Sequence, residues 1–129
     1  MANLTASRPD QQKDGILLDV DLAPATKVFS GSIVSTNAAG FAKKGADVAG
    51  EKFAGVAMET ADSNIAAQSY VRVWREGSFS FPIVGATQAA VGKPVYAVDD
   101  NVVGLTTTNL VLVGTVVKFV SATEVRVKI

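Results

Sequence analysis

The strongest constraint on this 129-residue chain is an internal echo. Phe53-Ala54-Gly55-Val56-Ala57 is answered by Leu112-Val113-Gly114-Thr115-Val116, and each is followed by an alternating Val-Arg-Val, at 71 to 73 and at 125 to 127. The stretches before them match as well. Gly31-Ser32-Ile33-Val34 leads to a turn ending at Gly40, and Gly92-Lys93-Pro94-Val95 leads to a turn at Asp99-Asp100-Asn101. The paired glycines lie 24 residues apart in the first copy (55 − 31) and 22 in the second (114 − 92). The same order at similar spacing reads as a duplicated β unit. Two such units of about four short strands are expected to bury their apolar faces against each other, as a small β-barrel or sandwich.

Periodicity supports β structure from residue 28 onward. In Val71-Arg72-Val73-Trp74 and Val125-Arg126-Val127-Lys128-Ile129, apolar and charged residues alternate with the period of two that a half-buried strand requires. Further strands are expected at 27–34, 53–58, 78–81, 94–98, 102–106 and 112–120, with turns at 37–40, 99–101 and 121–123. Helix signals are few. Ala86 to Val91, stopped by Gly92 and followed by Pro94, predicts one short helix, and 62–68 reads as either a helical turn capped by Asp62 or Ser63 or a loop. The expected fold class is therefore all-β with at most one or two short helices. Residues 1–27 are polar and irregular and read as a partly extended N-terminal arm. Residues 28–129 form a single β domain of two units, 28–76 and 92–129, joined by 77–91.

Composition narrows the chemistry. There is no Cys and no His, so thiolate and imidazole metal sites, cysteine nucleophiles and histidine acid–base pairs are excluded. Twelve Lys and Arg balance twelve Asp and Glu, and basic residues occur singly except at Lys43-Lys44. No basic stripe of a nucleic-acid binder is present, so direct contact with nucleic acid is not expected. The longest apolar run, 110–117, is broken by Gly114 and Thr115 and is far shorter than the roughly 20 residues of a membrane helix. Residues 1–15 contain no apolar run of the secretory type, and a soluble protein without membrane association is expected.

Motifs for catalysis or cofactors fail on spacing. Between Gly85 and Gly92-Lys93 lie six residues instead of the four of a phosphate loop, and Pro94 stands where Ser or Thr would bind magnesium. Asp19-Val20-Asp21 and Asp99-Asp100-Asn101 lack the ligand spacing of a calcium loop and read as strand and turn residues. No Gly-x-Ser-x-Gly elbow or Ser-x-x-Lys frame occurs. The expectation is a protein without enzymatic activity, cofactor or metal.

Two segments remain as candidates for contact with other macromolecules. Tyr70, Arg72 and Trp74 alternate with Val71 and Val73 and project from one side of a strand, and aromatics with Arg are the composition of an interface centre. Alternatively Tyr70 and Trp74 fill a second apolar layer while Arg72 reaches outward. The arm is either a tail or a segment that orders on a partner, and its large apolar groups are Leu4, Ile16, Leu17, Leu18 and Leu22.

Taken in order, Phe53-Ala54-Gly55-Val56-Ala57, Tyr70-Val71-Arg72-Val73, Arg75-Glu76-Gly77-Ser78-Phe79, Val91-Gly92-Lys93-Pro94-Val95-Tyr96 and the terminal Val125-Arg126-Val127-Lys128-Ile129 resemble the capsid cement, or head decoration, proteins of tailed bacteriophages. The resemblance covers residues 28–129 and rests on order and spacing. It implies a small β-rich virion protein, made in the host cytoplasm, that sits on the outer surface of the icosahedral head. Its partner would be the major capsid protein, whose neighbouring subunits it clamps, and it would itself be a homo-oligomer, a trimer in preference to a dimer. Relatives extend terminal segments over the capsid, which makes Leu4, Arg8 and Pro9 of the arm interface candidates beside Tyr70, Arg72 and Trp74, although residues 1–27 match no motif of the family. A tail, fibre-associated or baseplate β module is the alternative, and a carbohydrate-binding module stacking sugars on Trp74 and Tyr70 is a further one.

Overall fold

The computed structural model describes residue 6 and residues 15–129. Among them the chain forms β1 (Leu17–Asp21), β2 (Lys27–Val28), β3 (Ile33–Thr36), β4 (Ala42–Lys44), β5 (Lys52–Ala57), β6 (Ala61–Asp62) and β7 (Tyr70–Trp74). These are followed by β8 (Ser78–Pro82), a short 3-10 turn η1 (Gln88–Ala90), β9 (Pro94–Ala97), β10 (Val103–Gly104), β11 (Leu112–Ser121) and β12 (Glu124–Lys128). One five-stranded antiparallel sheet has the order β1-β7-β5-β3-β4 and a second has β8-β12-β11-β9-β10, with β2 and β6 as a small separate ribbon. Strand for strand, the second sheet repeats the first.

The repeat extends to register. Ile33 and Pro94, Ala42 and Val103, and Leu17 and Ser78 begin equivalent strands 61 residues apart (94 − 33, 103 − 42, 78 − 17). Val34 pairs with Gly55 and Ser35 with Phe53, leaving Ala54 in a bulge; Val95 pairs with Gly114 and Tyr96 with Leu112, leaving Val113 in the same bulge. The chain beyond each sheet's first strand then returns to the far edge. Leu22 makes a parallel bridge to Ala42 of β4, and Ile83 makes the corresponding bridge to Val103 of β10. Each sheet is thereby curled so that its two edges meet, which leaves less unpaired backbone than a flat sheet.

Curling gives each half its own core. Val20, Leu22, Val34, Ala42, Ala54, Ala57, Val71 and Val73 cluster in the first half. Their counterparts Phe81, Ile83, Val95, Val103, Val113, Val116, Val125 and Val127 cluster in the second. Each Val so buried contributes about 1.5–3 kcal/mol relative to exposure. Contact between halves is narrower than two apolar faces stacked together. Ile33 and Val56, from the outward side of the first sheet, join the second half's cluster, and Phe53 and Trp74 pack beside them. The seam is fastened by polar contacts: the Ile33 amide donates to the Asp100 carbonyl at 2.8 Å, and Asp47 accepts from the amides of Thr108 at 3.1 Å and Asn109 at 2.8 Å.

Boundaries move at two places relative to the sequence reading. Residues 17–21 are not part of an arm but pair along their whole length with β7, and Val20, Leu22 and Ala23 are buried. The segment 77–91 is not simply a connector, because β8 pairs with β12 from Ser78 to Pro82 and supplies Phe81 to the core. Asp19 and Asp21 disguise β1: charges on alternate positions face solvent while Val20 faces inward. The expected strand 27–34 is broken between Val28 and Ile33 at Gly31, whose φ is +84°, so β2 and β3 join different sheets. Ala86 to Val91 contains only the three residues of η1, and within 62–68 Asp62 ends β6 while 63–68 is a loop, in which the Asp62 Oδ1 accepts the Asn64 amide at 2.9 Å.

Candidate interaction surface

Alternation along β7 places Val71 and Val73 in the core and Tyr70, Arg72 and Trp74 on the outward side. These three side chains do different things. Tyr70 is 41 % exposed, opposite Asp21 of β1. Arg72 lies opposite Asp19, and its Nε donates to Asp19 Oδ1 at 3.0 Å. That hydrogen bond, reinforced by the charge of Asp19, raises the Arg72 pKa further above its already high ordinary value, so the guanidinium is a fixed cation. Trp74 is half-buried, paired with Val56 and packed against the second half's core. It belongs to the seam, so only Tyr70 of the two aromatics is mainly a surface residue.

Around Arg72 lies an open groove lined by Gly15, Leu17, Leu18, Asp19, Arg72, Arg75 and Glu76. Leu17 and Leu18 are exposed there beside the ion pair. The sequence reading counts them among the arm's apolar groups, and the structure places them on the surface of the first sheet. The signal was present in the alternation of Asp19, Val20 and Asp21 with Arg72 as a cross-strand partner, and became legible only with the β1–β7 register. Leu4, Arg8 and Pro9 lie outside the described residues.

The second half carries the same face with altered chemistry. Glu124, Arg126 and Lys128 of β12 correspond to Tyr70, Arg72 and Trp74, and Ser80 of β8 corresponds to Asp19. Arg126 therefore meets hydroxyls in place of a carboxylate, donating to Ser78 Oγ at 3.0 Å and Ser80 Oγ at 3.4 Å. A third feature belongs to the first half alone: Lys27, Lys43 and Lys44 line a shallow groove with Asn64, and Lys27 and Lys44 lie 5.0 and 5.8 Å from the centre of the Phe29 ring. Lys43 is paired with Glu51.

These features define a class of protein: a duplicated all-β structural domain whose distinctive surfaces are exposed strand faces. A family model described as Phage cement protein matches residues 12–129, and the chain belongs to that family, with a structural role in the phage capsid. The match begins ahead of the region that the sequence resemblance covered and takes in β1, in agreement with the place of that strand in the first sheet. No curated protein and no solved structure matches the chain.

Proposed function

We propose that this protein decorates the outer surface of the icosahedral head and stabilises it by binding neighbouring major capsid subunits, as a non-enzymatic homo-oligomer with a trimer preferred over a dimer. The observation that carries the reading is the family match across both duplicated units. The surface physics is compatible with it. A clamp of this kind needs stiff, closely packed β units and a modest contact repeated many times over a shell, so that many weak interactions act together. The groove beside Tyr70 and Arg72 offers such a contact, combining exposed Leu17 and Leu18 with a charge already held in place by Asp19.

The test is to add purified protein to expanded heads that lack it and to sediment the mixture. Saturable binding with a fixed number of copies per head, followed by imaging that finds the protein at outer capsomer junctions, supports the proposal. No binding to such heads, or a location on the tail, overturns it.

A further inference from the structure

The two halves share a strand pattern but not a charge pattern, and the difference is concentrated on one face. In the first half β5 ends at Ala57 and the chain leaves for β6 and the loop beyond it. In the second, β11 runs on past the counterpart Val116 to Ser121 and stays paired with β12 as far as Glu124. This added hairpin carries two register shifts, between Val116 and Lys118 and between Phe119 and Ser121. Bulges of this kind add twist and re-aim the side chains beside them.

The result is a meeting of cations. Lys118 pairs directly with Arg126, and paired residues of antiparallel strands present their side chains on the same face. That face is the outward one, because Val125 and Val127 take the inward positions of β12, and Lys128 is the next outward residue. All three cations are exposed, whereas Ile33 and Val56 on the outward face of the first sheet are buried against the second half. Like charges directly opposite each other disfavour the pairing of their strands. The ion pairs among the described residues are Lys43 with Glu51 and Arg72 with Asp19, so Glu124, at the end of the same strand face, neutralises none of the three.

In the first half Asp19 neutralises Arg72, but Ser80 stands at the corresponding place beside Arg126. The second guanidinium is held by neutral groups instead. Its Nε donates to Ser78 Oγ at 3.0 Å, Nη1 to Ser80 Oγ at 3.4 Å and Nη2 to the Ser78 carbonyl oxygen at 3.4 Å. These bonds use one N–H on each nitrogen and leave one more on each terminal nitrogen, the pair that grips a carboxylate through two parallel bonds. A fork already fixed in place lowers the ordering cost of binding such a group.

We infer that Lys118, Arg126 and Lys128 form a docking surface for an acidic protein segment, whose carboxylates the Arg126 fork and the two ammonium groups receive. Charge complementarity selects the occupant, because a carboxylate seated between Lys118 and Arg126 relieves the repulsion that the isolated chain retains. Nucleic acid matches less well: the whole chain is neutral, and these cations do not make the stripe that tracks a phosphate backbone. The inference rests on the proposed head binding for the source of the segment, the protein shell. It gives the clamp a contact on its second half, separate from the groove beside Arg72.

The test adds the full chain to heads that lack it, comparing wild type with Lys118→Glu, Lys118→Gln and, as a control for net charge alone, Lys52→Glu at the exposed start of β5. Lys118→Glu turns a repulsive cross-strand pair into an attractive one, so its unfolding midpoint is expected to equal or exceed that of wild type. Its affinity for heads is expected to fall about tenfold or more. Lys118→Gln should show a smaller loss, Lys52→Glu none, and wild-type binding should weaken as salt is added. Both Lys118 variants binding as tightly as wild type overturns the surface and leaves the proposed function standing, as does an equal loss in Lys52→Glu. A wild type that does not bind heads overturns the proposed function, and immobilised polyglutamate at low salt then decides the surface. Retention of wild type but not of Lys118→Glu keeps it and assigns the acidic segment to another protein; no retention, or stronger retention on DNA, overturns it.

Discussion

Gly55 and Gly114 occupy the same point in the two halves, each at a bulge where its strand passes close to a neighbour. A Cβ on Gly55 would run into the Trp74 carbonyl oxygen and come within 2.9 Å of the Val73 Cβ; one on Gly114 would run into the Lys128 carbonyl oxygen and come within 2.9 Å of a Val127 methyl group. In both cases the obstruction is backbone of a paired strand, which cannot move aside without opening the ladder.

Gly55→Ala and Gly114→Ala are accordingly each expected to lower stability by about 2–4 kcal/mol in denaturant unfolding. Gly31→Ala and Gly92→Ala are the comparison. Their φ values are +84° and +88°, but a Cβ there meets nothing within 4 Å, so each should cost only about 1–2 kcal/mol. Equal losses at all four positions would show that steric closeness is not what requires glycine at the bulges.

Asp47 joins the halves through two amide hydrogen bonds to its carboxylate. Asp47→Ala is expected to cost about 1–2 kcal/mol, and Asp47→Asn less, because one carbonyl acceptor survives. Urea midpoints of the two variants check the order.

Ser35 lies fully buried on the outward side of β3, and its hydroxyl has no hydrogen-bond partner among the described residues. Ser35→Ala removes an unsatisfied polar group without adding volume and is expected to raise stability by about 1 kcal/mol, measured by thermal or urea unfolding. A loss of comparable size would mean that the hydroxyl is satisfied.

Trp74 and its counterpart Lys128 differ in surroundings, half-buried in the seam and exposed respectively. Trp74→Ala is expected to cost about 2 kcal/mol, less than a fully buried Trp, whereas Lys128→Ala should leave the unfolding midpoint near wild type. Because Trp74 is the lone tryptophan, its emission should shift to longer wavelength as the seam opens on unfolding.

The Tyr70→Ala, Arg72→Ala double variant tests the groove. Both side chains project from the sheet surface, so the unfolding midpoint should stay at the wild-type value while affinity for heads drops about tenfold. Unchanged head binding would move the contact elsewhere on the molecule.

Much of the architecture was legible because it depends on local rules. Val71-Arg72-Val73 and Val125-Arg126-Val127 can expose their Arg only by turning both Val inward, and the glycines at 31, 55, 92 and 114 recur because the backbone at those points excludes or disfavours a Cβ. What escaped were elements whose meaning lies in their partners. β1 looks polar until β7 is placed beside it, and β4 has only three residues, whose pairing with β3 is decided by the turn Asn37 holds through Oδ1 bonds to the Ala39 and Phe41 amides. The candidate surface divides the same way: Tyr70 and Arg72 are visible in the sequence as a strand face, whereas the placement of Leu17 and Leu18 beside them is not.

The sequence by itself determined that this is an all-β chain built twice from one unit, since periodicity, turn residues and obligatory glycines act over a few residues and need no knowledge of the rest. Only the tertiary structure decided that each unit curls around its own core, that Trp74 sits in the seam, and that the first sheet's outward face is covered while the second's is open. Those outcomes depend on contacts between residues tens of positions apart, such as Ile33 with Asp100 and Asp47 with Asn109. Identical strand patterns in the two halves leave the choice between covered and uncovered faces to the packing of one half on the other.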